Sequence, residues 1–156
     1  MSRPDRTSLA IPYDQSMTAT LFTRIIQGEI PATFVYRDEL CVAFLTINPI
    51  TTGHTLVVPI QEVDHWTNLS DSLSRHLFQV AQKVSVAQKK VFSCDRIALV
   101  IAGYEIPHCH LHLIPSNSMA DLKFENALAH VERKDLEQAA GLIIGALRAA
   151  NVAGAL

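Results

Sequence analysis

His108, His110 and His112 alternate with Cys109, Leu111 and Leu113. In an extended strand, side chains at i, i+2 and i+4 share one face. Three imidazoles would then stand in a row, with a thiol and two leucines pointing the other way into packing. Same-face neighbours on a strand are ~6.5–7 Å apart by Cα, within reach of a shared ligand or proton. A plain exposed face would be served as well by Thr, Lys or Glu. Two chemistries fit the row. In one, H-x-H places two imidazoles on a zinc ion and a third ligand comes from elsewhere. In the other, one imidazole attacks as a nucleophile while its neighbours orient it and handle charge. Spacing alone leaves both open.

Other elements must position this row. Leu21, Phe22, Ile25 and Ile26 share one face between Thr20 and Gln27, and Gly28 can stop the turn, so a short helix is predicted. Thr33-Phe34-Val35-Tyr36 and Cys41-Val42-Ala43-Phe44-Leu45 flank Arg37-Asp38-Glu39 and read as a hairpin. Asn48-Pro49 and Gly53 bracket a loop. Thr55 to Val58 is a third strand, ended by Pro59. Ser70 caps the clearest helix, which reaches about Phe92. Its stripe is Leu73, Leu77, Val80, Val84, Ala87 and Val91. Phe78 and Val86 lie off that stripe, and either widen it or face a partner subunit. Arg96 to Ala102 reads as a buried strand, and Pro107 and Pro115 enclose a fifth strand, His108 to Ile114. A last helix runs from about Arg133 to Ala150, with Leu136, Ala140, Ile143 and Leu147 inward. Hairpins separated by a long helix predict an α+β fold with a mainly antiparallel sheet.

Composition narrows the functional classes. The chain has 156 residues, 49% hydrophobic and 18% charged, the balance of one globular domain. Thirteen Lys and Arg against 15 Asp and Glu give a net charge of −2. That excludes a broad electrostatic footprint for nucleic acid, though not a local basic pocket. Cys41, Cys94 and Cys109 cannot pair completely and form no C-x-x-C, which reads as a reducing cytoplasm. Ala139 to Leu147 is apolar for nine residues before Arg148, far short of the ~20 that span a bilayer. The N-terminus holds no apolar stretch of leader length. The expectation is a soluble, cytoplasmic protein. Residues 1–18 show no periodicity and read as an extension; 19–156 form the domain.

The run Gly103-Tyr104-Glu105-Ile106-Pro107-His108-Cys109-His110-Leu111-His112-Leu113-Ile114-Pro115 resembles the H-φ-H-φ-H-φ-φ signature of the histidine triad (HIT) family, with Cys109 at the first φ. Three segments resemble the same family in the same order. They are Leu21 to Pro31 (an opening helix), Ala43-Phe44-Leu45-Thr46-Ile47-Asn48-Pro49 (a strand end that lines the substrate) and Gly53-His54-Thr55-Leu56-Val57-Val58-Pro59 (a G-H-x-L-V-x-P strand). The resemblance spans about residues 20–124. It implies a HIT-like fold: a five-stranded antiparallel sheet with a short N-terminal, a long central and a C-terminal helix, as a homodimer whose sheets join. It also implies hydrolysis or transfer at the α-phosphate of a nucleotide, through a nucleotidyl-histidine intermediate. His110 would be the nucleophile and His112 would contact the phosphate or leaving group. His108 and His54 would complete the cluster. Glu105 would relay a proton near the leaving group. Phe22, Ile25, Phe44 and Ile47 match positions that sandwich a purine, although large apolar residues on strands are core by default.

The sequence departs from that pattern in three places. Many relatives bind a structural zinc through an N-terminal C-x-x-C plus histidines. Thr20 and Thr23 stand there, with Glu62 at the downstream ligand position, so no structural zinc and no cofactor are expected. Thr46 replaces the acidic residue or Asn that binds ribose hydroxyls. The segment before the triad is short, with Tyr104 where Gln is common. These departures keep a second reading in play, a nucleotide-binding or regulatory module with vestigial turnover. A tri-histidine metal enzyme is disfavoured because no carboxylate-rich surround is evident.

Overall fold

The computed structural model describes residues 18–156; the extension, apart from Thr18, lies outside the described residues. Five strands form one antiparallel sheet: β1 Thr33–Arg37, β2 Cys41–Leu45, β3 Thr55–Pro59, β4 Arg96–Val100 and β5 Leu111–Ser116, in the order β1-β2-β3-β5-β4. Helices α2 (Asp71–Val91) and α3 (Arg133–Ala149) cover one face. The short helix α1 (Leu21–Ile26) packs on the other.

Strand alternation sorts the core between these faces. Cys41, Ala43 and Leu45 of β2 join α2 and α3, as do Cys109, Leu111 and Leu113. Val42 and Phe44 turn the opposite way and meet Phe22, Ile25 and Ile26 of α1 with Leu56 and Val58 of β3. All five β2 residues are buried, because the strand has a layer on both sides. A helix of six residues is too short to persist alone. α1 persists because Thr20 Oγ1 caps the Thr23 N–H and its apolar face is buried.

The long stripe on α2 is buried as read, from Leu73 to Ala87, with Val91 packed at its end. Phe78 and Val86 remain 61% and 50% exposed, so they do not widen it. Two strands differ from the reading. β4 is not a buried strand but the sheet's edge, with Arg96 and Leu99 exposed. An unbroken apolar run does not distinguish a strand covered on both faces from a partly covered edge. β5 begins at Leu111, three residues after His108. Continuing the β3–β5 register (Val57 with Leu111) sets Pro59 opposite Cys109, and proline has no N–H for the ladder. Instead, the Cys109 N–H reaches the Val63 carbonyl at 2.7 Å.

The β1–β2 turn is tied to α2 through Asp38. Its Oδ1 accepts the N–H groups of Leu40 and Cys41, both at 2.8 Å, and its Oδ2 accepts the Tyr36 hydroxyl at 2.6 Å and His76 Nε2–H at 2.7 Å. Cys41 adds a thiol to this cluster, whose three potential ligand atoms lie within 4.8 Å of one another. Both carboxylate oxygens already carry two donors, so the group closes as a hydrogen-bonded tie. Burial alone would raise the Asp38 pKa. The bonds from Tyr36, the two backbone amides and His76 outweigh it and hold the carboxyl at about 2. A carboxyl depressed in the folded state contributes stability above its unfolded pKa, lost as pH falls to the folded value. Asp38→Asn should therefore lower unfolding free energy at pH 7 by about 2 kcal/mol. In urea titrations the gap to wild type should close between about pH 4 and pH 2; a gap unchanged across that range would contradict the assignment.

Candidate active site

His112 sits in the regular ladder, opposite Leu56 of β3 and Val100 of β4. His108 and His110 precede the strand, in a segment that has left the ladder on both sides. The alternation nevertheless persists. The ring of His110 lies 4.8 Å from that of His112 and 4.9 Å from Phe22, and His108 lies 5.9 Å from Phe22. His54, the residue before β3, reaches the same place, with its ring 5.2 Å from His112. The four histidines read from the sequence thus form one cluster, with His108 and His110 against Phe22 of α1.

Their hydrogen bonds assign the protons. The carbonyl of His108 can only accept, so His110 Nδ1, at 2.7 Å, carries the hydrogen. A neutral His110 then presents a lone pair at Nε2. His54 Nδ1 accepts the Ile50 N–H at 3.2 Å, so its Nε2 is the donor. That nitrogen faces His112 Nδ1 at 3.0 Å, which leaves the His112 hydrogen on Nε2. His108 Nε2 donates to the Pro59 carbonyl at 2.8 Å, and its Nδ1 meets the Thr20 hydroxyl at 2.8 Å. The row therefore offers a bare nitrogen on His110 beside an N–H on His112.

Burial keeps the cluster uncharged. Desolvation comes first at every member, and neighbouring imidazoles add to it at three of them. His54 is pushed down to about 4 and His112 to about 3 by burial and then by nearby histidines. His110 is lowered by burial and by His108, against the bond to the His108 carbonyl and the charge of Glu105. Burial also lowers His108, opposed by Pro59 and Glu62.

The remaining expected site residues divide. Phe22 and Phe44 meet edge to face at 5.7 Å, buried with Ile25 in the smaller core cluster. Ile47 stands 66% exposed on the β2–β3 loop. Thr46 is half-buried, and its hydroxyl accepts the Asn48 N–H at 3.2 Å, so it caps its own loop. Glu105 is exposed in the segment leading to His108.

Three contributors were not read from the sequence. Phe124, in a single-turn helix (Phe124–Asn126), sets its ring edge to face on His112 at 5.0 Å. It stands in a stretch without periodicity, so no local signal marks it. Asn48 Nδ2 donates to the carbonyls of Leu128 and Ala129, at 3.0 and 3.1 Å, fastening that stretch to the β2–β3 loop. Gln88 of α2 is fully buried, and its amide donates to the carbonyls of Gly53 and Leu113 at 2.8 and 3.2 Å. It clamps β3 and β5 beside His54 and His112 from the opposite face. A lone amide on an otherwise apolar helical stripe was the available signal.

Thr20, Thr23, Glu62 and His108 do converge, but as a donor set they suit hydrogen bonds and not zinc. Threonine hydroxyls are poor zinc ligands, and one imidazole with one carboxylate does not complete a tetrahedral structural site.

Comparison with known proteins places this geometry. Residues 27–119 match the HIT domain model. An uncharacterised HIT-like protein of Borreliella burgdorferi is 38% identical over 102 residues, 61% of this chain and 73% of that protein. A bis(5'-nucleosyl)-tetraphosphatase (asymmetrical) of Schizosaccharomyces pombe is 37% identical over 102 residues, 62% of this chain and 55% of that protein. A zinc-bound histidine triad family protein of Mycobacterium smegmatis superposes with a TM-score of 0.73 at 26% identity, covering 86% of this chain and 97% of that one.

The site's titration is testable directly. Because the folded pKa values of His54 and His112 fall near 4 and 3, nitrogen-detected NMR should find both rings neutral from pH 8 down to about pH 5. The unfolded chain binds those protons first, near pH 6.5, so stability should decline as pH drops below that value. A protonated His112 at pH 6 would contradict the assignment.

Proposed function

The chain belongs to the HIT domain family, and from that premise we propose that it is a hydrolase or transferase acting at the α-phosphate of a nucleotide conjugate. The substrate classes are a phosphoramidate, an adenylylated amine or a dinucleoside polyphosphate. The observation that carries the reading is the pairing of a lone pair on His110 Nε2 with an N–H on His112 Nε2, their rings 4.8 Å apart.

His110 Nε2 attacks phosphorus and the bond to the leaving group breaks, giving a nucleotidyl-histidine. The imidazole becomes cationic as the P–N bond forms. The His108 carbonyl already accepts its Nδ1–H and stabilises that charge without reorganising. His112 donates to a phosphate oxygen. Glu105, exposed in the segment just before the triad, relays a proton from solvent to the departing amine or phosphate. Water then attacks phosphorus, the P–N bond breaks, neutral His110 is restored and the water's proton passes to solvent. Phe22, Ile25, Phe44 and Ile47 supply the apolar wall for the base, and Thr46 lies on the ribose side.

The tetraphosphatase from S. pombe supports hydrolysis of a nucleotide conjugate. The second reading, a nucleotide-binding module with vestigial turnover, draws on Thr46, whose hydroxyl is engaged by its own loop, and on Tyr104, which is 97% exposed. Incubation with adenosine 5′-phosphoramidate separates them. The enzyme releases AMP and, when quenched in alkaline denaturant that preserves a P–N bond, gains the mass of one adenylyl group; the module binds without product. His110→Asn should reduce turnover by about 10³-fold or more while the fold is retained. Hydrolysis by that variant at near wild-type rate would overturn the nucleophile.

The active species in this reading is a cytoplasmic homodimer. Its support is the open β4 edge with exposed Leu99, and Phe78 and Val86 outside the core stripe. Free Cys41, Cys94 and Cys109 suit a reducing compartment, and no helix among the described residues is long and apolar enough to cross a membrane. Sedimentation at micromolar concentration should give twice the 17.2 kDa chain mass; a species of single-chain mass would contradict the dimer.

A further inference from the structure

We propose that Thr20, Thr23 and Glu62 form a metal-free clip that positions the nucleophile His110 by holding the ring of His108 in the tautomer that the Pro59 carbonyl sets. The inference rests on the reading of His110 as nucleophile, and its geometry stands apart from that reading.

The Pro59 carbonyl forces the hydrogen of His108 onto Nε2. In the neutral ring Nδ1 is then an acceptor, and the single hydroxyl hydrogen of Thr20 is the donor that meets it, at 2.8 Å. Thr20 Oγ1 also accepts the Thr23 N–H at 3.2 Å, so one hydroxyl caps α1 and holds His108. Glu62 completes the clip from the segment after β3. Its Oε2 accepts the Thr23 hydroxyl at 2.5 Å and the Thr20 N–H at 3.3 Å. The three residues join the N-terminus of α1, the chain beyond β3 and the first histidine of the row.

The clip reaches His110 by two routes. Held between Thr20 and Pro59, His108 is fully buried and its carbonyl stays where His110 Nδ1–H finds it at 2.7 Å. Phe22, two residues beyond Thr20, rests its ring 4.9 Å from His110. Releasing Thr20 loosens both the acceptor behind the nucleophile and the ring beside it. A metal ion would fasten the same chain segments through thiolates and imidazoles; here two hydroxyls and a carboxylate do so through hydrogen bonds.

Three substitutions separate helix capping from tautomer control. Thr20→Ser keeps both functions. Thr20→Val removes both. Thr20→Asp keeps the cap, since a carboxylate accepts the Thr23 N–H, but it cannot donate to His108 and draws a proton onto Nδ1 instead. The readouts are kcat and KM for adenosine 5′-phosphoramidate and the nitrogen-detected NMR of His108 and His110. In wild type, His108 should carry its hydrogen on Nε2 and His110 on Nδ1. Thr20→Val and Thr20→Asp should each lower kcat about tenfold with KM within about twofold, as loss of one buried hydrogen bond implies. Both should alter the His110 tautomer signal, and Thr20→Ser should restore rate and signal together. Wild-type kcat and an unchanged His110 spectrum in Thr20→Val and Thr20→Asp would overturn the proposal, as would a wild-type His108 with its hydrogen on Nδ1. If wild type fails to turn over the phosphoramidate, the functional reading fails. The clip is then decided by His110 alone: a changed signal in the two variants upholds it, and an unchanged one overturns it.

Discussion

One hydrogen bond organises this molecule: His110 Nδ1–H to the backbone carbonyl of His108, at 2.7 Å. A carbonyl inside a sheet ladder is spoken for by a neighbouring strand. The His108 carbonyl is available because the ladder starts late. Pro59 lies where β3 would otherwise pair, and β4 has ended at Val100. The departure from regular pairing therefore sets the tautomer of the central imidazole. Bond and burial together give a neutral ring with its lone pair on Nε2, the state a nitrogen nucleophile requires.

The rest of the fold keeps that arrangement dry and fixed. One sheet separates two cores, with α2 and α3 on the face of Cys109, Leu111 and Leu113, and α1 on the face of the histidines. The larger core supplies most of the apolar burial that stabilises the domain. Through Gln88 it also ties the backbone beside His54 to that beside His112. The smaller core supplies Phe22, backed by Phe44; the Phe22 ring packs on His108 and His110 and adds to the burial that holds their pKa values down. Each imidazole is thus neutral because of its surroundings, and the bonded nitrogens fix which atom of His110 and of His112 is left for a substrate.

Much of this was legible in the residues. The stripe on α2, the hairpin of β1 and β2 and the alternation of the triad follow from side-chain periodicity, and the structure keeps them. Periodicity does not report what covers a strand: the apolar run from Arg96 reads as buried, yet it forms the edge. Nor does it report where pairing stops: Pro59 and His108 meet across chain separation, and Pro115, the other boundary chosen for β5, lies inside the strand. Phe124 was invisible for the same reason, since its meaning comes from a ring 12 positions earlier in the chain. Phe44 had two readings, core or base contact. Its ring is buried and packs edge to face on the phenylalanine that touches His110.

The central claim is a covalent nucleotidyl-His110, and the stereochemical course at phosphorus tests it most directly. A nucleoside phosphoramidate made chiral at phosphorus with sulfur would be hydrolysed in isotopically labelled water, and the configuration of the released thiophosphate determined. Attack by His110 and then by water inverts phosphorus twice, so the account predicts net retention. Net inversion would mean that water attacks the substrate directly, and that the lone pair on His110 Nε2 is not the nucleophile.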